Sequence, residues 1–162
     1  MLSRRTTIMT LLAAAAVSST EAATATRKTN TDLIRRYFDV WNSGRLDDLD
    51  TLLSADYVNH TPSTPNPPRG PAGLKPIIES FRVAFPDLRF TIEDIITTDS
   101  HAVARVEMRG THRGDLFGIA PTGRSVAVNQ INIERIEREQ IIEHWRVTDE
   151  LALMRQLGVV AG

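Results

Sequence analysis

The first part of the chain carries apolar residues at three- and four-residue spacing, the pattern of helices that pack through one face. The clearest stretch runs from Asp32 to Asn42, and Gly44 is placed to end it. A shorter stretch covers Arg45 to Ser54, and another runs from Gly73 to Phe85, where Pro86 stops it. The pattern therefore predicts three helices.

A proline-rich segment separates the second of these helices from the third. Tyr57 to His60 reads as a brief strand and leads into Thr61–Pro71, which holds five of the chain's eight prolines. Because proline has no backbone donor, this segment is predicted to be a stiff loop. Such a loop forms either the rim of a pocket or a plain surface connection, and the sequence leaves both open.

Downstream of the third helix, apolar residues alternate with polar ones, as they do in strands. Arg89–Thr97 and His101–Thr111 are predicted to be two strands, and Ser125–Asp149 is predicted to be a hairpin. A short helix or turn over Leu151–Leu157 follows. Helices followed by antiparallel strands predict an α+β domain with helices on one face of a curved sheet.

The predicted hairpin has one apolar face and one face of hydrogen-bonding groups. Alternation places four polar residues on one side: Gln130, Asn132, His144 and Arg146. The other side takes Ile131, Ile133, Trp145 and Val147. With the turn centred on Arg138 and Glu139, Asn132 lies opposite Arg146. A polar face inside a small domain must be satisfied or wet, so this face either lines a pocket or lies in bulk solvent.

The composition narrows the classes of function. The chain has 162 residues, enough for one domain with a sizeable core, and a formal net charge of −1. No basic stripe stands out, so we expect no nucleic-acid partner. The absence of cysteine excludes disulfides, thiolate chemistry and cysteine-ligated zinc. No two histidines have the spacing of a metal-binding pair, and Gly110–Gly123 lacks the spacing of a phosphate loop, so neither a metal nor another cofactor is predicted.

The N-terminus has the three-part order of an export signal. Arg4 and Arg5 make a basic start, residues 6–17 are mildly apolar, and Ala23–Ala25 has the A-x-A form of a cleavage site. We predict that residues 1–25 are removed and that residues 26–162 form a single mature domain, which is periplasmic or secreted. The apolar run is too short to span a bilayer, so no stable membrane anchor is predicted.

The export route stays open between two pathways. Ser3, Arg4 and Arg5 ahead of a weakly hydrophobic segment resemble a twin-arginine signal. Thr7 stands where that motif favours a bulky apolar residue, so a general secretory signal is the alternative. A further alternative is that the segment is a permanent N-terminal helix.

Several short motifs in a fixed order resemble the SnoaL-like polyketide cyclases of the nuclear-transport-factor-2-like superfamily. The resemblance covers Thr31 to Gly158. The motifs are Trp41-Asn42-x-Gly44-Arg45, Tyr57-Val58-Asn59-His60, Phe85-Pro86-Asp87-Leu88, Gly110-Thr111-His112-x-Gly114, Pro121-Thr122-Gly123-Arg124, Glu143-His144-Trp145 and Gln156-Leu157-Gly158. Their order and spacing indicate the family and leave the substrate open.

The resemblance implies a cone-shaped, curved antiparallel sheet with N-terminal helices packed across it, enclosing an apolar cavity. Members of this family close rings in polyketide esters by aldol chemistry without a metal or an organic cofactor. They use an aspartate on the last long strand as general acid/base and a histidine that faces it on the preceding strand. Here Arg146 stands at the aspartate position and Asn132 at the histidine position. The family's acid/base pair is therefore absent from its usual place, on a face that the resemblance implies lines the cavity.

The residues at these two positions still have a use in catalysis. Arginine stays protonated in proteins, so Arg146 cannot take a proton from carbon. It is suited to stabilise an enolate or to hold a carboxylate, and Asn132 can donate to the same oxygen. The candidate bases are His144, on the same strand face, and Asp149, just past the strand end. A buried Arg146 needs an acidic partner, ordered water or an anion, and the candidate acids are Glu134 and Asp149.

Together these features predict a cyclase-type enzyme, of isomerase or lyase type, that acts on a small apolar carbonyl compound by cofactor-free acid/base chemistry. The alternative is a non-catalytic binding protein that holds a small molecule in the same cavity. The residues expected to contact the substrate are Tyr37, Trp41, His60, His112 and Gln130. A homodimer is also expected, because a monomer would expose the apolar face of the hairpin.

Removal of residues 1–25 is directly testable. We expect protein from the envelope fraction of the producing cell to have the intact mass of a chain that begins at Thr26, because cleavage follows an A-x-A site. Intact-mass spectrometry checks this. A mature species that still begins at Met1 would contradict the prediction.

Overall fold

The computed structural model describes the backbone of residues 4–161 and the side chains of residues 20–161. Among these residues it contains four α-helices, one short 3₁₀ helix and one five-stranded sheet. In chain order the elements are α1 (Arg4–Ser43), the 3₁₀ helix (Leu46–Asp48), α2 (Leu49–Leu52), β1 (Leu53–Asn59), α3 (Pro71–Ala84), β2 (Arg89–Thr97), β3 (His101–Thr111), β4 (Ser125–Glu137), β5 (Gln140–Thr148) and α4 (Glu150–Leu157).

The first helix is longer than the sequence pattern predicts. The predicted start at Asp32 is wrong, because Asp32 lies inside α1, as does Asn30, whose Nδ2 donates to the Thr98 carbonyl oxygen at 2.9 Å. The helix extends back to Arg4, so residues 4–25 of the predicted export segment are helical. A helix is compatible with an export signal and with a permanent element, so export stays a prediction. In the part of the chain that the structure describes, no helix is long and apolar enough to cross a membrane.

The C-terminal part of α1 packs on the sheet through the predicted apolar stripe. Its buried members are Leu33, Ile34, Tyr37, Phe38 and Trp41. Phe90 of β2 contacts two of these rings, with ring-centre distances of 5.7 Å to Phe38 and 5.3 Å to Trp41. Full burial of one such side chain contributes about 1.5–3 kcal/mol to the free energy of unfolding. The stripe therefore holds α1 across the sheet.

The second predicted helix is shorter than expected, and the strand after it is longer. The helical segment ends at Leu52, and β1 begins at Leu53. β1 pairs in parallel with β5, with Asn59 opposite His144. The sheet is therefore mixed, and the expectation of a purely antiparallel sheet is wrong at this edge. Leu53 and Ser54, which the apolar spacing assigned to a helix, belong to β1 because this strand pairs with β5.

The other three strand pairings are antiparallel, and the strand order is β1-β5-β4-β3-β2. β2 and β3 have the predicted bounds. The buried inner-face residues of β3 are Ala102, Ala104, Val106 and Met108, as the alternation predicts. The pairing shifts register between Ile92 and Asp94 and again between Arg135 and Ile136. Such irregularities bend a sheet and increase its twist, so they support its curvature.

The β4–β5 hairpin has the predicted register, with Asn132 opposite Arg146. Its turn residues, Arg138 and Glu139, both have positive φ angles, 50° and 61°, as a type I′ turn requires. Four polar residues of its inner face are buried: Gln130, Asn132, Glu134 and His144. The polar face of the hairpin is therefore the inner one.

The last helix, α4, packs against β4. Gln156 accepts a hydrogen bond from the Ala127 backbone nitrogen at 2.6 Å and donates one to the Ala127 carbonyl oxygen at 2.9 Å. Leu153 and Leu157 are buried in the core. Gly158, with a φ of 77°, ends the helix in the left-handed conformation that glycine favours.

The outer face of the hairpin carries the apolar patch that predicts a homodimer. Ile131, Ile133 and Val147 are 47%, 39% and 73% exposed, respectively. The ring of His60 stacks on Trp145 at a ring-centre distance of 4.6 Å. The patch lies on the face of the sheet opposite the core, and the assembly state stays a prediction.

We expect Val147→Glu to raise the monomer fraction in sedimentation, because an unpaired carboxylate would be buried in the interface. Val83 on α3, 65% exposed, offers a matched control away from the sheet. Val83→Glu adds the same charge and should leave association unchanged. A folded Val147→Glu variant that associates like the wild type would argue against a dimer through this face.

Candidate functional site

A cavity of about 480 Å³, here called the main cavity, lies between the inner face of the hairpin, α3, α4 and two loops. Its volume is within the range of small-molecule sites. The apolar lining residues include Phe81, Met108, Leu116, Phe117, Ile119, Leu153 and Met154. The polar lining residues are Thr61, Ser63, Gln130, Arg146, Thr148 and Glu150. The main cavity therefore offers hydrogen-bonding groups beside a large apolar surface.

Arg146 is the cation of the main cavity. Its Nη2 donates to the Ser63 hydroxyl at 2.9 Å, and its backbone nitrogen donates to the Thr61 hydroxyl at 2.7 Å. Among the described residues, no carboxylate forms an ion pair with it. Burial lowers the pKa of Arg146 from its ordinary value, while the phenol of Tyr37 and the carboxylate of Glu150 act in the opposite direction. The guanidinium is thus held by neutral groups.

The start of the proline-rich loop positions this arginine. The His60 backbone nitrogen donates to the His144 carbonyl oxygen at 2.9 Å, which extends the pairing of β1 with β5 by one residue. The Thr61 backbone nitrogen does not continue this pairing and bonds instead to Asn59 Oδ1 at 3.0 Å, so the chain turns away from β5. The Thr61 hydroxyl then accepts the hydrogen bond of the Arg146 backbone nitrogen on β5. Of the two interpretations of the loop, its first residues fit the pocket rim, because Thr61, Pro62 and Ser63 line the main cavity.

A second, much smaller space lies deeper between α1 and the hairpin. This inner crevice measures about 10 Å³, close to the lower limit for one water molecule. Six predicted site residues line it: Tyr37, Trp41, Gln130, Asn132, His144 and Arg146. Gln130 and Arg146 line both spaces. They therefore separate His144 from the main cavity.

Behind Arg146 lies a buried imidazole–carboxylate pair. His144 Nδ1 and Glu134 Oε1 are 2.8 Å apart, and both side chains are almost fully buried. Burial raises the pKa of Glu134, and the neighbouring His144 acts in the opposite direction. Glu134 had been a candidate partner of Arg146, but the register places it opposite His144 and it bonds there. With Nδ1 engaged, Nε2 is the ring nitrogen left for a ligand.

Two tyrosines complete the surroundings of this pair. Burial raises the pKa values of Tyr37 and Tyr57 above the ordinary value for a phenol. The Tyr37 ring centre lies 6.4 Å from that of His144. The Tyr57 hydroxyl is buried near Tyr37 without a hydrogen bond of normal geometry. Both groups are therefore neutral donors at physiological pH.

The structure does not bring His60 to the cavity. Its ring lies parallel to that of Trp145, with an interplanar angle of 5°, and Nε2 is 3.5 Å from Glu143 Oε2. Trp145 belongs to the outer face of the hairpin, so His60 lies outside both spaces in which a substrate contact was expected. The backbone of His60 still pairs with β5, and strand alternation then places the His60 ring on the outer side of the sheet.

His112 is also absent from the cavity lining. It is fully buried, and its Nδ1 accepts a hydrogen bond from the Thr122 backbone nitrogen at 3.3 Å. Its ring centre lies 5.3 Å from that of Phe85. The backbone bonds from Gly123 to His112 and from His112 to Arg124 fold the glycine-rich segment back on itself. The structure therefore does not bring His112, an expected substrate contact, to either space, because its ring is enclosed by its own segment.

Asp149 caps the start of α4. Its Oδ1 accepts a hydrogen bond from the Ala152 backbone nitrogen at 2.9 Å, which satisfies a free donor at the start of α4. Its side chain is exposed, and it lines neither the main cavity nor the inner crevice. The structure therefore does not place Asp149, one of the two candidate bases, beside Arg146 in either space.

Four polar residues of the main cavity are not among the predicted site residues: Thr61, Ser63, Thr148 and Glu150. Thr148 continues the alternation of His144 and Arg146, so one more step along β5 would have found it. Glu150 follows the capping residue of α4, and Ser63 carries no signal beyond its place in a proline-rich loop. In the stretch that the structure describes, no group of three potential ligands is placed to hold a metal ion.

Comparison with known proteins identifies the family to which the chain is related. Residues 31–157 match the family of SnoaL-like polyketide cyclases. The aklanonic acid methyl ester cyclase DnrD of Streptomyces peucetius is 31% identical over 133 residues, which is 80% of this chain and 91% of the relative.

Solved structures show the same fold. TsrD from Streptomyces laurentii is 30% identical with a TM-score of 0.76, covering 83% of this chain and 98% of its own. IdmH from Streptomyces antibioticus is 32% identical with a TM-score of 0.70, covering 79% of this chain and 97% of its own. The chain therefore belongs to the SnoaL-like polyketide cyclase family.

Proposed function

We propose that this protein is a cyclase that closes a ring in a small, largely apolar carbonyl compound of polyketide type by acid/base chemistry. The observation that carries the proposal is Arg146, which lines the apolar main cavity and also the inner crevice that contains Asn132 and His144. A relative, DnrD, is named for the cyclisation of aklanonic acid methyl ester. That compound and its free acid are therefore the first substrates to try.

The acid/base pair of the family has a counterpart one step along the hairpin. Arg146 and Asn132 face each other where the family resemblance implies an aspartate and a histidine. The next pair of inner-face residues is Glu134 and His144, again a carboxylate and an imidazole, but on exchanged strands. This pair supports acid/base chemistry at a site displaced by two residues along each strand.

In the proposed reaction His144 Nε2 takes a proton from the carbon next to a carbonyl group. Glu134 accepts the hydrogen bond of Nδ1, which keeps the lone pair on Nε2. Arg146 and Asn132 stabilise the negative charge on the enolate oxygen. The enolate carbon then bonds to a second carbonyl carbon of the same molecule, and the proton returns from His144 to the new alkoxide. No atoms are gained or lost overall.

A non-catalytic binding protein is the second candidate. The observation that favours it is the size of the inner crevice, about 10 Å³, in which the free nitrogen of His144 lies behind Gln130 and Arg146. Catalysis requires one of these two side chains to move when substrate binds. A binding protein requires no such movement, since a ligand in the main cavity already meets Arg146.

Replacement of Arg146 tests the proposed role. We expect Arg146→Met to lower the rate of ring closure by about 10²–10³, because it removes a preorganised charge from the enolate oxygen while keeping side-chain length. Product formation from aklanonic acid methyl ester and from its free acid, followed by chromatography, measures this. Arg105, exposed on the outer side of β3 opposite Ile131, is the matched control, and Arg105→Met should keep the wild-type rate.

Other outcomes separate the two candidates. Binding without turnover of either compound by the wild type would favour the binding protein. Wild-type turnover that persists in a folded His144→Gln variant would contradict the role of His144 as base. Circular dichroism of each variant confirms that the fold is retained.

The buried Glu134 also predicts a pH dependence of stability. Its folded-state pKa lies above the ordinary value of 4.5. The folded protein therefore binds this proton more tightly than the unfolded chain, and the contribution is lost as pH rises through the raised value. In Glu134→Gln, which keeps an oxygen acceptor for His144, this fall in the free energy of unfolding should disappear.

Urea unfolding at a series of pH values from about 4 to about 8 measures this dependence. Glu139→Gln in the exposed turn is the control and should keep the wild-type profile. Identical profiles for Glu134→Gln and the wild type would contradict the assignment.

A further inference from the structure

Arg146 has more donors than the protein satisfies. A guanidinium carries five N–H groups, and one hydrogen bond, to the Ser63 hydroxyl, is formed by this side chain among the described residues. A guanidinium removed from water without a counter-charge is unfavourable. The remaining donors are therefore available to a ligand in the main cavity, which Arg146 lines.

The two amides nearest the arginine along the hairpin add N–H donors that the protein leaves largely unused. Asn132, directly opposite in the hairpin, has a buried Nδ2 without a partner. Among the described residues, Gln130, which lines both spaces, uses its Nε2 only toward the sulfur of Met108 at 3.9 Å. Nitrogen donors with few acceptors fit a group that only accepts hydrogen bonds, and an ionised carboxylate is such a group.

We infer that the main cavity takes an amphipathic carboxylic acid, whose carboxylate binds Arg146 and whose apolar body lies against Phe81, Leu116 and Leu153. The inference rests on the proposed function for its site and adds the charge class of the ligand. The free acid should bind more tightly than its methyl ester, because an ester offers Arg146 no negative charge. Charge that forms when the carbon next to the carboxylate loses a proton falls on the same two oxygens.

One carboxylate of the protein opposes this arrangement. Glu150, in the first turn of α4, lines the main cavity and is exposed. It acts on Arg146 from a distance, without an ion pair. An anionic ligand would approach Arg146 against the charge of Glu150. Neutralising Glu150 should therefore strengthen binding of an acid and leave binding of an ester unchanged.

Two acid–ester pairs test the inference in fluorescence titrations of the whole protein: pyrenebutyric acid and naphthylacetic acid, each against its methyl ester. We expect each acid to bind about tenfold more tightly than its ester, in keeping with the greater strength of charge-assisted hydrogen bonds. Arg146→Met should remove this preference, whereas Arg146→Lys should retain part of it. Arg105→Met should keep it fully, and Glu150→Gln should increase it.

Three results would overturn the inference: equal or tighter binding of the esters by the wild type, an acid preference that survives in Arg146→Met, or no binding of either pair. If Arg146→Met does not fold, Arg146→Lys and Glu150→Gln decide the question. Failure of ring closure together with a clear acid preference would remove the proposed enzyme activity and leave the ligand class standing. Ring closure of the ester without an acid preference would remove this inference alone.

Discussion

The register of the β4–β5 hairpin is the constraint on which the rest of the structure depends. A shift of one residue would turn Asn132 and Arg146 outward and bring the apolar outer face inside. The register is held by a type I′ turn and by the pairing of β4 with β3 along its other edge. Because of it, the interior of the domain is apolar on most sides and polar along one strip.

Removing the polar side chains of this strip from water costs free energy, and each side chain reduces that cost in a different way. Glu134 and His144 satisfy each other in part, although Glu134 Oε2 stays without a partner. Arg146 lies at the boundary with the main cavity and bonds to the rim loop. Asn132 keeps a free donor. Natural proteins retain such incompletely satisfied interiors mainly where a ligand completes them.

The two candidate functions use the same physical feature in different ways. A guanidinium at the polar side of an apolar cavity recognises an oxyanion whether or not chemistry follows. Chemistry also needs the imidazole behind it, and access to that imidazole depends on Gln130 and Arg146. The family relationship establishes the framework, and Arg146 places a cation at the edge of the main cavity.

The sequence by itself determined the features that follow from local geometry. Apolar spacing located the helices and the long strands, and alternation separated the two faces of the hairpin because successive side chains of a strand point to opposite sides. Tertiary structure alone decided which face is inside, that β1 joins β5 in parallel, and that Glu134 binds His144. It also placed His60 on the outer side, His112 under its own loop and Asp149 at a helix start. These outcomes depend on contacts between distant residues, such as Thr61 and Arg146, 85 positions apart, and no local periodicity encodes them.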